Sequence, residues 1–280
     1  MSEDPIHSAG DALRQAILSA LCEMEARLSA DTVNARDVHL ARRAAKRARA
    51  LARLAPPELA ALAANTRRTV DLTRRALGEA REAEVRAATL AGLKSQLGGA
   101  HEMLDRLVRR DAPENVAAPD VAALREDIAA LVRDWRLCET RGGLDEIIGA
   151  AASTYRRMRK RAKAARSGDA AALHHWRSAV VEFEYDADFL ARFAPGMKAA
   201  SREADRLRKH LGDISDLDDL RGFVAEQGVG ETDRAALRHL EKASIARRAR
   251  LAARAFERAD ALLDERPAQW VKRLRRACAR

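Results

Sequence analysis

The sequence offers little from which to build a disulfide, a metal cage or a stacking platform. Its three cysteines, Cys22, Cys138 and Cys278, lie far apart with no C-x-x-C spacing, so neither a disulfide framework nor a zinc site is signalled, and a reducing cytoplasm is expected. Aromatic residues make up only 4%, and Trp135, Trp176 and Trp270 are scattered away from the basic runs, which argues against the base-stacking surfaces of single-strand nucleic-acid binders. No stretch approaches the ~20 apolar residues of a membrane span, and "MSEDPIHSAG" has acids where a secretory signal would carry lysines and an apolar run. A soluble, cytoplasmic protein with no membrane partner is expected. There is no G-x-x-x-x-G-K loop, zinc finger or helix-turn-helix pattern, and strand-like alternation is absent.

What the chain has is helical periodicity and positive charge. Its 280 residues, 47% hydrophobic, suffice for an ample core in one large domain or two medium ones. Lysine and arginine number 52 against 42 acids, a net charge of +10 that predicts polyanionic partners. Helices are expected over Ser8–Ser29, Val33–Leu54, Pro57–Leu77, Glu79–Arg110, Pro119–Cys138, Leu144–Arg166, Asp169–Phe193, Pro195–Leu211, Asp216–Glu226 and Glu231–Leu263. "DAPENVAAP", between Arg110 and Asp120, reads as a linker. It divides the chain into units of residues 1–112 and 113–280.

The segment "VHLARRAAKRARALARL", Val38 to Leu54, carries six basic residues and no acid. At 3.6 residues per turn, His39, Arg42, Arg43, Lys46, Arg49 and Arg53 fall on one side, while Leu40, Ala44, Ala48, Leu51 and Leu54 can turn inward. Like charges at i,i+4 repel, and this helix supplies no glutamate to offset them. A second stripe lies in "YRRMRKRAKAAR", where Arg156, Arg159, Lys160, Lys163 and Arg166 share a face.

The two halves also repeat one another. "VHLARRA" at Val38 reappears as "LHHWRSA" at Leu173, pairing His39 with His174 and Arg42 with Arg177. "LGEAREAEV" at Leu77 reappears as "LGDISDLDD" at Leu211, and the histidine-to-LG spacing is 38 residues in one half and 37 in the other. An internal duplication is the economical account. The copies differ in charge: Leu173 to Phe193 holds Arg177 and Arg192 against Glu182, Glu184, Asp186 and Asp188, and Arg81–Glu82 after the first LG corresponds to Ser215–Asp216 after the second.

A basic helix opened by H-x-x-R, followed some forty residues later by an LG-acid motif and then repeated, resembles the CHAD family, the conserved histidine α-helical domain. The tyrosine-arginine opening, "SGD" turn and LH-x-x-R entry of the second half strengthen the likeness. The resemblance implies an all-α fold of two pseudo-symmetric repeated four-helix bundles around a basic central cleft. It also implies binding of inorganic polyphosphate with no catalysed reaction and no cofactor. On that basis His39, Arg42, Arg43, Lys46 and Arg49 are expected to form one wall of the site, and Arg156, Arg159, Lys160, Lys163, His174 and Arg177 the other. Association with polyphosphate granules is the corresponding role, and a nucleic-acid-associated helical protein is the alternative.

Metal coordination is disfavoured on the residues themselves. Arg42 and Arg43 occupy the i+3 and i+4 positions of His39, and cations there oppose a second cation. Adjacent His174 and His175 project about 100° apart on a helix. The histidines therefore read either as hydrogen-bonded seam residues or as phosphate contacts. In "DISDLDDL", Ser215 and Asp218 have capping-box spacing, and the EF-hand pattern is missing. A phosphate-anhydride enzyme would need a magnesium-holding carboxylate set and a phosphate-cradling loop, which the basic faces do not supply.

Overall fold

The alanine-rich segments favour helix, and glycine and proline decide where each one stops. The computed structural model describes residues 5–29, 34–110, 121–140, 143–227 and 234–279. In chain order these form α1 (Pro5–Arg27), α2 (Ala35–Leu51), α3 (Ala60–Ala76), α4 (Glu79–Ala91), α5 (Lys94–Leu97), α6 (Ala100–Arg110), α7 (Val121–Leu137), α8 (Leu144–Ala165), α9 (Ala170–Leu190), α10 (Met197–Glu226), α11 (Arg234–Leu262) and α12 (Pro267–Cys278). Two 3-10 turns, Ala52–Leu54 and Pro57–Leu59, join α2 to α3. No strand occurs among the described residues, as the all-α reading expects. The proposed linker at 111–119 lies outside them.

Several boundaries differ from the sequence reading for local reasons. The expected Glu79–Arg110 helix is three pieces, because α4 ends at Gly92 and α5 at Gly98, whose φ of +53° suits a residue without a Cβ. Conversely, the break expected between Leu211 and Asp216 is missing. Leu211, Ile214 and Leu217 continue one buried face of α10, and the Ser215 hydroxyl donates to the Leu211 carbonyl at 3.1 Å in mid-helix. Ser215 is therefore not a cap, which overturns the capping-box expectation. The "SGD" turn does end α8 and start α9: Gly168 has φ +76°, and the Asp169 carboxylate accepts from the Ala172 N–H at 2.8 Å. Beyond α11 the basic carboxy-terminal segment is a helix, α12, with proline in its first turn and Trp270 buried.

Helix α2 is the pivot of the packing. It lies along α1, α3 and α9, and its buried Ala41, Ala44, Ala45 and Ala48 let neighbouring backbones approach closely. Leu51 and Leu54 are buried as expected, whereas Leu40 is only half-buried. Helix α9 is flanked by α8 and α10, α11 packs along α10, and α12 packs on α8. Helix α7 packs on α1 and α3, while α4 and α6 pack on α10 and α11 respectively, so helices from before and after the linker interleave.

Each tryptophan anchors one of these junctions. Trp135 of α7 is fully buried and donates from Nε1 to Thr66 Oγ1 of α3 at 2.8 Å. Trp176 of α9 stacks on Phe256 of α11 at 5.0 Å between centroids, and Tyr155 of α8 stacks on Trp270 of α12 at 5.0 Å. Burying such a ring stabilises by roughly 1.5–3 kcal/mol, with stacking adding about 1 kcal/mol. None is available to stack on a ligand.

Candidate anion-binding cleft

Helix α2 presents its basic residues in two directions. Arg42 and Lys46 face a cavity of about 650 Å³, whose other basic lining comes from Arg74 of α3, Arg86 of α4, and His174 and Arg177 of α9. Helix α10 lines it with Asp216, Asp218, Asp219 and Glu226. The cleft thus has a basic wall and an acidic wall. Phe223 also lines it, but the Arg86 guanidinium lies 4.1 Å above the Phe223 ring.

The H-x-x-R arginines and the LG glycines meet inside the fold. Arg42 Nη1 donates to the Arg74 carbonyl at 2.5 Å, and a Cβ added at Gly78 would lie 3.4 Å from that nitrogen. In the second half, a Cβ at Gly212 would lie 3.6 Å from Arg177 Nε and Nη2. Each arginine therefore rests against the glycine of its own half. Arg74 and Arg208 stand four residues before Gly78 and Gly212, in "RRALG" and "RKHLG", and both act electrostatically on Lys46. Sequence reasoning missed this second matched pair, although the repeated R-x-x-LG spacing carried the signal. It also missed Arg86. The side chains of Arg81 and Glu82 lie outside the described residues.

Electrostatics inside the cleft are severe. Burial, then the charges of Arg177, Arg74, Arg42 and Arg208, lower Lys46 to about 7 from 10.5. Arg177 is also pushed below its ordinary value by burial, against the pull of Asp216 and Asp219. Burial and then Arg177 hold His174 below the usual imidazole value, with Asp219 opposing.

The remaining expected wall residues are placed elsewhere. His39 and Arg43 are exposed on α2 and do not line the cavity; the charge of Arg43 instead acts on Glu184 and Tyr185 of α9. Arg49 bonds Asp71 and Glu182, each at 3.0 Å. Glu182, only 5% exposed, also takes Arg53 at 3.1 Å and Arg157 at 2.5 Å. Glu182 of α9 is thus the partner of arginines from α2, the turn after it and α8, while Glu184 pairs with Arg208 of α10 at 2.7 Å.

The α8 stripe does not face the cavity. Arg159 Nη1 donates to the carbonyls of Leu263 and Glu265, closing the end of α11, and Tyr155 Oη donates to the same Glu265 carbonyl at 3.0 Å. Arg156 bonds Ser153 at 2.7 Å, Arg166 pairs with Asp260 at 2.7 Å, and Lys160 and Lys163 are exposed. Of the eleven residues expected in the two walls, the cavity collects Arg42, Lys46, His174 and Arg177.

The helical fold thus sets matched arginine–glycine contacts beside a cleft with one basic wall, and the family model for the CHAD domain matches residues 12–225. The chain belongs to the CHAD family. Its fold is similar to the crystal structure of the CHAD domain from the plant Ricinus communis, with a TM-score of 0.67 at 19% identity and 95% of each chain covered. No curated protein matches the chain. At 19% identity the likeness to the plant CHAD domain carries the fold alone.

Proposed function

We propose that this CHAD domain binds inorganic polyphosphate in the cleft between α2, α3, α4, α9 and α10. The observation that carries the reading is a basic wall assembled from four helices without an aromatic platform, since all three tryptophans are core residues and the lining Phe223 is covered by Arg86. Polyphosphate has no bases to stack, so arginine forks and point-charge lysines suffice. Arg42, Lys46, Arg74 and Arg177 form the inner contacts in this reading. His174 sits beside them, and the exposed Arg43, Arg156, Lys160 and Lys163 serve only as outer attraction. The reading is of binding without turnover; Asp218 on the acidic wall is paired with Arg248 at 3.0 Å. Granule association in the cytoplasm is the role that fits.

A competition titration of polyphosphate against single- and double-stranded nucleic acid, at matched phosphate concentration, tests the proposal. Polyphosphate is expected to win, and a preference for nucleic acid overturns the reading. By analogy with nucleic acids, six or more phosphate contacts make affinity fall by about three orders of magnitude or more between roughly 50 and 200 mM salt. Charge reversal at Arg42 and Lys46 should weaken binding far more than neutralising Arg192. Equal effects would mean diffuse attraction by net charge.

A further inference from the structure

Lys46 occupies an unusual place on the basic wall. It lines the cavity from α2, one turn after Arg42, and among the described residues no carboxylate lies within ion-pair distance of it. The leading charges acting on it have one sign: Arg42 on its own helix, Arg74 on α3, Arg177 on α9 and Arg208 on α10, while Arg86 of α4 lines the same cavity. Three of those arginines are already engaged, Arg42 through its bond to the Arg74 carbonyl at 2.5 Å. Arg74 is held by Asp71 at 2.9 Å, and Arg208 by Glu184 at 2.7 Å and by Asp205. The titratable neighbour His174 and the acids Asp216 and Asp219 line the same cavity, and those acids act on Arg177. On α1, the neighbouring acid Glu23 is held by Arg47 at 3.0 Å.

We propose that Lys46 and its surrounding arginines form an inner oxyanion subsite that takes up a proton at Lys46 when it takes an anion. The inference rests on the polyphosphate reading and adds its regulation. In the empty cleft the ammonium form is opposed by burial and by four cations, so near neutral pH the amine is partly neutral, Lys46 titrating at about 7. An entering phosphate oxygen supplies a counter-charge, which raises the Lys46 pKa in the complex. Binding and protonation are then linked. Affinity rises as pH falls from the pKa of the complex to that of the free protein, and levels off below it. Above about pH 8 the loss approaches tenfold per pH unit. His174 is held below its ordinary value, so its own titration lies on the acid side of this window.

The test combines calorimetry and a direct titration. Tripolyphosphate and a long polyphosphate are titrated into the full chain near pH 8, in buffers of low and high ionisation enthalpy. Wild type should take up about one proton, whereas Lys46→Arg, charged throughout, should take up none and lose the steep pH dependence. Lys46→Met should likewise take up none and bind more weakly. Thermal melts check that both variants are folded. Equal proton uptake by wild type and Lys46→Arg overturns the inference while leaving polyphosphate binding intact. If wild type does not bind polyphosphate, the functional reading fails. The subsite is then judged by the Lys46 side-chain NMR titration with and without saturating inorganic sulfate: an upward shift of the midpoint supports it, and an unchanged midpoint overturns it.

Discussion

Glu182 is the place where the fold is most exposed to a single change of charge. Its carboxylate is 5% exposed and meets Arg49, Arg53 and Arg157 at 3.0, 3.1 and 2.5 Å, so it ties α2 and the turn after it to α8 and α9. Glu182→Gln keeps the shape and removes the charge. At an effective dielectric near 20, each contact is worth about 4 kcal/mol of Coulomb attraction before desolvation. Burial of the carboxylate offsets several kcal/mol of that, and the arginines, each about a quarter to a third exposed, are partly screened. Arg49 also keeps Asp71. Breaking a buried charge network from one side costs roughly 3–5 kcal/mol, because the stranded cations remain. Against a total stability of about 5–15 kcal/mol this is large, and it corresponds to a fall in Tm of the order of 10 °C. Urea unfolding near neutral pH reads the loss. Adding Arg53→Met should recover about 1 kcal/mol or more by removing a stranded charge. A loss under about 0.5 kcal/mol, or strict additivity of the two changes, would refute the network as the tie between these helices.

The two LG glycines should respond oppositely to alanine. At Gly78 the new Cβ would sit 2.9 Å from the Arg75 carbonyl, so Gly78→Ala should cost about 1–3 kcal/mol and disturb Arg42, whereas at Gly212 it meets Arg177 at an ordinary 3.6 Å and Gly212→Ala should stabilise by up to about 1 kcal/mol; parallel melts compare them. Arg159→Ala removes the charged donor that closes α11 and should cost about 2–3 kcal/mol while leaving polyphosphate affinity nearly unchanged. A large loss of affinity at constant stability would place Arg159 in the site instead.

Helix periodicity was legible because it is local. The basic run of α2 and the "SGD" turn could be read from neighbours within a few residues, and the H-x-x-R and LG motifs from their repetition in the second half. What could not be read was the choice of partner. Arg49 and Glu182 are 133 positions apart, and nothing in either segment says that the acid-rich α9 will lie along the acid-free α2. The same gap explains Arg159, which shares a helix face with Lys160 and Lys163 but meets two carbonyls at the end of α11. At Ser215 local spacing misled, since a buried Leu211–Ile214–Leu217 face carries the helix through a sequence that also suits a cap.

The placement of charge separates a basic protein from a basic site. The α2 stripe looks continuous in sequence, yet Arg42 and Lys46 face the cleft while Arg49 and Arg53, one to two turns on, are paired with Glu182. That pairing has a second effect: it fixes α2 against α9, and therefore Arg42 relative to Arg177, since each rests on a helix held by the same carboxylate. The two views give opposite expectations for Glu182→Gln under conditions where the variant remains folded. Net charge rises by one, so diffuse attraction predicts tighter polyphosphate binding and a steeper salt dependence. A preorganised cleft predicts no gain, or a loss, because Arg42 and Arg177 are no longer held in register and the ligand must supply the ordering. Affinity of the variant measured at low denaturant and moderate salt decides the matter, and tighter binding would count against the cleft.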